Sequence, residues 1–178
     1  MRSLFLTVLI LLRTSCSSPS PALQTGTSPR AAALIPVRPP KADNPLRPLE
    51  VKVFALANRQ RRLHGLHALE WTDTLAEQAR LQSLNMMERF FFSHIDPLRG
   101  SLSARLNTAG IQWVQCGENI FREKGMSDPA SEAVEGWMKS ASHRKSLLDP
   151  VFTHSAVGIA ISPDTEYFIT QIFLRPNR

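Results

Sequence analysis

Apolar residues recur at helical spacing in the first half of the folded part of the chain. Val53, Leu56 and Leu63 follow Leu49 at offsets of four, seven and fourteen positions. This period places them on one face of a helix. Gly65 tolerates the left-handed conformation that commonly ends a helix, so the helix is predicted to end there. Basic residues occupy mostly the other positions, and Arg59, Arg61 and Arg62 are predicted to form a solvated face, with the pairing of Arg61 with an acid as the alternative.

A second helix is predicted to begin at Thr72 or Asp73, either of which can act as an N-cap. The run Phe90–Phe92 is predicted to end this helix as a dense apolar plug. Methionine commonly fills gaps in cores, so the two methionines of the buried face are interpreted as core residues. That face is predicted to contain Leu75, Ala76, Ala79, Ser83, Met86, Met87 and Phe90.

The second half of the domain alternates between short helical and strand-like segments. These do not show the regular strand–helix–strand order of a parallel sheet, so the fold class is α+β. The predicted segments are a helix over 101–109 ended by Gly110, a strand over 111–114 leading into the Glu118 segment, a helix from Asp128-Pro129, a helix over 140–148 closed by Asp149-Pro150, and an antiparallel hairpin of 156–161 with 167–174.

Composition indicates one domain and a basic N-terminal tail. The chain has 178 residues, is 43% hydrophobic and 20% charged, and carries a net charge of +6. Six basic side chains oppose Asp43 within residues 1–48, so the tail holds most of the excess charge. The remaining residues are nearly neutral, which argues against nucleic-acid binding by a basic folded face.

The N-terminal segment has the features of an export signal. Met1-Arg2 precedes the apolar stretch Leu4–Leu12, which is too short to span a bilayer. Small residues before Cys16 are similar to the lipidation signal of bacterial lipoproteins, which favours Cys16 as a lipidation site; an ordinary secretory signal is the alternative. Residues 17–48 hold eight prolines and are predicted to be a disordered linker. The domain is predicted to span 49–178.

One stretch, Gln115–Phe121, places a carboxylate among apolar and small residues. A buried Glu118 needs a partner or must be neutralised. His94 and His143 are the candidate partners, and the fold is predicted to bring all three side chains together. They lie 24 and 25 positions apart, so spacing alone identifies no site.

The ordered set of segments resembles the CAP superfamily, also called the SCP domain, in its bacterial secreted branch. The resemblance covers roughly residues 49–175. It is carried by Asn58, Arg61, Gly65-Leu66, Leu69, Trp71, Phe92-Ser93-His94, Gly117-Glu118-Asn119-Ile120, Trp137, Ser140, His143-Arg144, Leu147-Leu148, Pro150, Phe152-Thr153, Val157-Gly158, Thr170-Gln171 and Phe173.

The resemblance implies a three-layer α-β-α sandwich with a central antiparallel sheet and an open cleft. His94 and His143 match the two histidines of that cleft, and Glu118 matches the acid of its central motif. A second acid is found in eukaryotic members, but Ser140 stands at its position and Glu135 does not match it. The disulfides of eukaryotic members are also absent, which leaves Cys116 as a predicted free thiol.

Two neutral imidazoles suit a borderline metal such as Zn²⁺, and Glu118 either completes the ligand set or accepts a proton from a bound water. With only one acid, the metal is expected to be weakly held and exchangeable. Each residue also has a structural interpretation. His94 is then a hydrogen-bonded loop residue, Glu118 an acceptor for backbone groups, and His143 a surface or helix-end residue.

Three functional hypotheses therefore stay open. The first is an exported or membrane-tethered binding module, with His94, Glu118 and His143 holding a metal, a small molecule, a lipid or a peptide. The second is a metal-dependent hydrolase or peptidase that uses Glu118 as general base. The third is a structural or interaction module. In each, the chain is expected to be a monomer that meets the membrane only through its N-terminus.

Overall fold

The computed structural model describes residues 44–125 and 127–177. These residues form five helices and four strands. The helices are α1 (Arg47–Leu63), α2 (Asp73–Glu88), α3 (Leu102–Thr108), α4 (Pro129–Lys139) and α5 (Ala141–Leu147), and the strands are β1 (Glu70–Trp71), β2 (Gln115–Lys124), β3 (His154–Ile161) and β4 (Glu166–Arg175).

Local signals in the sequence set most of these boundaries. The Ser101 hydroxyl accepts a hydrogen bond from the Ala104 amide at the start of α3, and the Asp128 carboxylate accepts one from Ser131 at the start of α4. Gly65 follows the end of α1 with a φ of 73°. The predicted strand over 111–114 is wrong, because β2 begins only at Gln115.

The strands form one mixed sheet in the order β1-β3-β4-β2. The predicted hairpin is confirmed, with Ala156 opposite Ile172 in the antiparallel pairing of β3 with β4. β2 also pairs antiparallel with β4, and places Glu118 opposite Ile172. The two-residue β1 pairs parallel to β3, so the sheet is not wholly antiparallel.

Each face of the sheet is covered by helices, which confirms the α+β class and the three-layer α-β-α sandwich. Alternate residues of a strand point to opposite faces. Val157 and Ile159 of β3 pack in one cluster with residues of α1, α4 and α5. Ala156 of the same strand packs in another cluster, with residues of α2 and α3. The core therefore lies in two layers, one on each side of the sheet.

Two predictions about individual side chains are wrong. Phe90 is 94% exposed and Phe92 is 45% exposed, so the predicted apolar plug does not form; only Phe91 packs against a core cluster. Helix α2 ends at Glu88, so the helical period no longer applies at Phe90. Arg61 is 1% exposed rather than solvated, because its guanidinium donates to backbone carbonyls across the domain.

The predictions for residues 1–16, including Cys16, lie outside the described residues, as does the predicted linker up to residue 43. Helix α1 begins at Arg47, two residues before the predicted start of the domain. Within the described residues, Cys116 is half-buried and forms no disulfide. No helix in 44–125 or 127–177 combines the length and the apolar character needed to cross a bilayer.

Candidate functional site

The candidate site lies at β2, the edge strand of the sheet opposite β1. Ile120 packs in a cluster with Met86 of α2, and Glu118, two residues earlier, shares that face of the strand. Asn119 points to the opposite face, where its side-chain amide donates to the His143 carbonyl of α5 at 3.0 Å. The strand therefore contacts groups from both helical layers at this edge.

Glu118 and His94 are directly hydrogen-bonded. Nδ1 of His94 lies 2.9 Å from Oε1 of Glu118. The Glu118 side chain is 3% exposed, whereas that of His94 is 50% exposed. A carboxylate only accepts hydrogen bonds, so Nδ1 of His94 carries the proton in this pair. When the ring carries only this one proton, the other ring nitrogen, Nε2, has a lone pair.

Arg105 of α3 holds the second oxygen of Glu118. Its Nη2 donates to Oε2 at 2.7 Å, and the Arg105 side chain has no exposed surface. The same nitrogen donates to the backbone carbonyl of His94 at 3.3 Å. Arg105 therefore fixes both the carboxylate and the backbone of the histidine that this carboxylate orients. Nε and Nη1 of Arg105 have no partner within the described chain.

The loop that carries His94 is pinned by buried polar groups. Gln82 of α2 donates to the Ser93 carbonyl at 2.9 Å, and Asn85 donates to the Asp96 carboxylate at 2.6 Å. Asp96 also accepts hydrogen bonds from the backbone amide of Leu98. Burial alone would raise the pKa of Asp96, but the hydrogen bonds from Asn85 and from backbone amides lower that pKa overall.

His143 reaches the same place from the other helical layer. Its ring centroid lies 6.2 Å from that of His94, with the two rings tilted by 56°. Burial and, secondarily, the neighbouring His94 lower the pKa of His143 from its ordinary value. His143 is therefore a neutral imidazole at pH 7, which is the form that binds a metal.

The structure thus brings together all three residues predicted from the sequence, but not as three equivalent ligands. Glu118 contacts His94 and Arg105 through its two oxygens, and the two imidazoles lie side by side. No group of three or more histidine, cysteine, aspartate or glutamate side chains in 44–125 and 127–177 is arranged to hold a metal ion. The roles predicted for Glu118, as a ligand or as a base, stay predictions.

Sequence reasoning missed Arg105. The signal was the spacing of Leu102, Arg105 and Leu106, which puts the arginine on the apolar side of a short helix. A charged residue at such a position requires a buried partner. Ser140, at the position of the missing second acid, lies 3.3 Å from the hydroxyl of Ser142 instead of contacting His94 or Glu118.

A three-layer sandwich with a glutamate and two histidines at an edge strand has the architecture expected of the CAP superfamily. The chain matches the CAP family, described as the Cysteine-rich secretory protein family, over residues 54–173. This match covers most of the chain, and the chain belongs to that family. The family assignment made from the sequence is therefore confirmed.

Three relatives support this assignment. YkwD of Bacillus subtilis (strain 168) is 39% identical over 122 residues, which are 67% of this chain and 46% of YkwD. YlbC of the same organism, named as a membrane protein, is 40% identical over 126 residues, covering 71% of this chain and 34% of YlbC. A solved extracellular protein with an SCP domain, from Bacillus anthracis str. Ames, is 33% identical with a TM-score of 0.62, covering 72% of this chain and 41% of that one. The chain thus spans less than half the length of each.

Proposed function

We propose that this chain is an exported binding domain that holds a divalent transition metal between His94 and His143. The single observation that carries the proposal is the 2.9 Å hydrogen bond from Nδ1 of His94 to Glu118. This bond commits one ring nitrogen to the protein and leaves the other as a lone-pair donor on a half-exposed ring. Metal-ligating histidines commonly have such a carboxylate behind them.

The donor set fits zinc better than a hard cation. Neutral imidazoles are suitable ligands for Zn²⁺, whereas Mg²⁺ and Ca²⁺ prefer oxygen ligands. Zn–N bonds are about 2.0–2.1 Å long. Rings with centroids 6.2 Å apart are close enough for a small side-chain movement to bring both nitrogens to one ion. When bound, zinc would supply Lewis acidity at positions left open to solvent or a small ligand.

Glu118 has a positioning role in this proposal, rather than the role of a base. Both of its oxygens are already hydrogen-bonded, and its side chain is 3% exposed. A general base must reach the proton that it removes directly or through one water. The observed contacts therefore favour a binding site over the hydrolase alternative. With only two protein ligands, the metal is expected to exchange readily.

Export is the second part of the proposal. It is supported by Met1-Arg2 and the apolar stretch Leu4–Leu12 in the sequence. The related Bacillus anthracis protein is described as extracellular, and YlbC as a membrane protein. We propose that the domain lies on the exterior side of the cell membrane, with Cys16 as a lipid attachment point. Mass spectrometry of the mature N-terminus tests the anchor, because a mature chain beginning elsewhere than at Cys16 would contradict it.

Zinc titration by calorimetry tests the metal site. The full chain with Cys16→Ser is compared with the same chain carrying His94→Ala or His143→Ala. Each histidine variant is expected to lose about tenfold or more in affinity, since removing a ligand weakens the site at least as much as removing a partner behind it. His64→Ala is the matched control, because His64 is an exposed histidine hydrogen-bonded to its own helix. Equal binding by all four proteins would refute the site.

A further inference from the structure

Four large apolar side chains between residues 90 and 98 are exposed to solvent. We define the 90–98 patch by Phe90, Phe92, Ile95 and Leu98, which are 94%, 45%, 64% and 50% exposed. In the described chain, only three other large apolar side chains are exposed, and those are distant in sequence. They are Val51, Leu63 and Val114.

Phe90 is unfavourable for the isolated domain in two separate ways. Its φ is 55°, a conformation in which a bulky residue is an outlier and which helix ends usually assign to glycine or asparagine. Its ring is also almost wholly in water. Neither feature stabilises the fold. Residues held in a strained backbone conformation commonly occur in functional segments. Phe90 is therefore expected to contact a partner outside the domain.

The patch is held outward by a well-ordered loop. Asp96 is 1% exposed, and its backbone pairs with that of Gly100 through hydrogen bonds of 3.0 and 2.8 Å. Its carboxylate accepts from Asn85 and from the Leu98 amide. Buried, fully paired polar groups make a segment rigid. The hydrogen-bonded conformation of the loop therefore keeps these apolar side chains exposed.

We propose that the 90–98 patch inserts into the interfacial region of a phospholipid bilayer. Phe90 projects almost free of the domain, which suits insertion into a fluid phase better than docking in a complementary protein pocket. One basic group adjoins a ring of the patch and a second is its sequence neighbour, and basic side chains are common in interfacial segments. Arg89 is exposed beside Phe90, and the Arg122 guanidinium lies 5.6 Å from the Phe92 ring while it pairs with Glu166. Glu88 is the exposed acidic neighbour.

The first described residues of the domain lie near the C-terminal end of α2, the end that leads into Phe90. Asn44, the first described residue, lines a cavity of about 260 Å³ together with Leu84 and Met87 from the last turns of α2. The 43 residues before it contain the predicted export signal. The lipid attachment proposed above at Cys16 would tether the domain to the membrane and raise its effective concentration there, so that even weak insertion by a few side chains becomes populated. This inference does not depend on the metal site.

Tryptophan reporters test the orientation directly. Phe90→Trp and Leu63→Trp are each made in the full chain with Cys16→Ser, and Leu63 is a matched control because it is 67% exposed at the end of α1. Vesicles of phosphatidylcholine and phosphatidylglycerol with brominated acyl chains are added. Fluorescence at position 90, corrected for the parent protein, is expected to shift to the blue and to be quenched roughly twofold or more beyond that at 63. Equal quenching at both positions would overturn the proposal.

Phe90→Gly provides an independent check. Glycine relieves the left-handed strain, so the melting temperature is expected to stay the same or rise. Vesicle partitioning of the same variant is expected to fall about tenfold, because burial of one phenylalanine ring contributes at least that factor. Unchanged partitioning would count against insertion. A blue shift of the position-90 reporter with rising protein concentration and no vesicles would also overturn the proposal, since a second copy would then cover the patch.

Discussion

The side chain of Glu118 does most to define the candidate site, and its contacts explain why. One oxygen orients His94 and the other neutralises Arg105, whose side chain is wholly buried. A buried ion pair stabilises little by itself, but removing one partner leaves an uncompensated charge in the interior. The Glu118–Arg105 pair thus positions His94, and loss of either partner is expected to destabilise the fold.

Glu118→Gln is expected to lower the free energy of unfolding by about 3–5 kcal/mol, because Arg105 keeps its charge without a counter-ion. Adding Arg105→Met removes that charge and is expected to recover most of the loss. Urea denaturation followed by circular dichroism measures both variants. A single variant as stable as the wild type would show that the ion pair does not carry this role.

At Gly158 the fold leaves no space for a side chain. A Cβ there would overlap the backbone of Ala79 and Arg80 in α2. Gly158→Ala is expected to destabilise the domain by about 3 kcal/mol, since backbone cannot yield as a side chain can. The same denaturation experiment applies.

Gly136→Ala is the control for that substitution. The new methyl group would lie 3.1 Å from the Phe121 ring, which can shift, and alanine favours the helix by about 1 kcal/mol. The two effects oppose each other, so little net change is expected at Gly136. Equal losses at both glycines would contradict the argument from backbone contact.

At the scale of elements, Arg61 joins α1 to the chain between α5 and β3. Its guanidinium donates to the carbonyls of Leu147 and Asp149 at 2.9 Å each, and to that of Phe152 at 3.3 Å. Burial lowers the pKa of Arg61, with a nearby Asp149 opposing that shift. This connection fixes α5, and with it His143, against the rest of the domain.

Arg61→Ala is expected to cost about 3 kcal/mol or more, because several buried carbonyls lose a charged donor. Arg62→Ala is the neighbouring control, and as an exposed residue it should change stability by no more than about 0.5 kcal/mol. Thermal unfolding distinguishes the two. If the two alanine variants melted alike, the carbonyl contacts would not matter to stability.

The elements also show where pattern reasoning succeeds. The cap at Asp128 and the β3–β4 hairpin depend on neighbours close in sequence, and each formed as predicted. The start of β2 did not, because strand pairing at this edge is decided by contacts with β4, which is distant in sequence. The prediction that Phe90 is buried is wrong for a related reason. Helix α2 ends at Glu88, and that end determines which way the following rings point.

For the whole molecule, two exposed ion pairs contribute to the dependence of stability on acid pH. The Lys52 ammonium, with help from Ser131, lowers the pKa of Asp128 to about 2, and Lys124 with Ser162 lowers that of Asp164 to about 2. The unfolded value for aspartate is about 3.9. Since both folded values are lowered, the contribution is complete above pH of about 4 and is lost as pH falls towards about 2.

The melting temperature is therefore expected to fall between pH 4 and pH 2, and less steeply in Asp128→Asn with Asp164→Asn. Asparagine keeps the helix cap, so the comparison isolates the charge. Added salt should reduce the difference, because both groups are exposed. Differential scanning calorimetry across this range measures it, and an identical slope in the double variant would exclude these pairs as its source.

The sequence by itself determined the α+β class, the helix cap at Asp128, the hairpin and the resemblance to the family, because each depends on local periodicity or on an ordered set of residues. Only the tertiary structure decided that Glu118 lies behind His94, that Arg105 neutralises it, and that Phe90 faces solvent. Those facts come from residues distant in sequence meeting at an edge strand, and from the point at which a helix ends. No pattern along the chain encodes such distances.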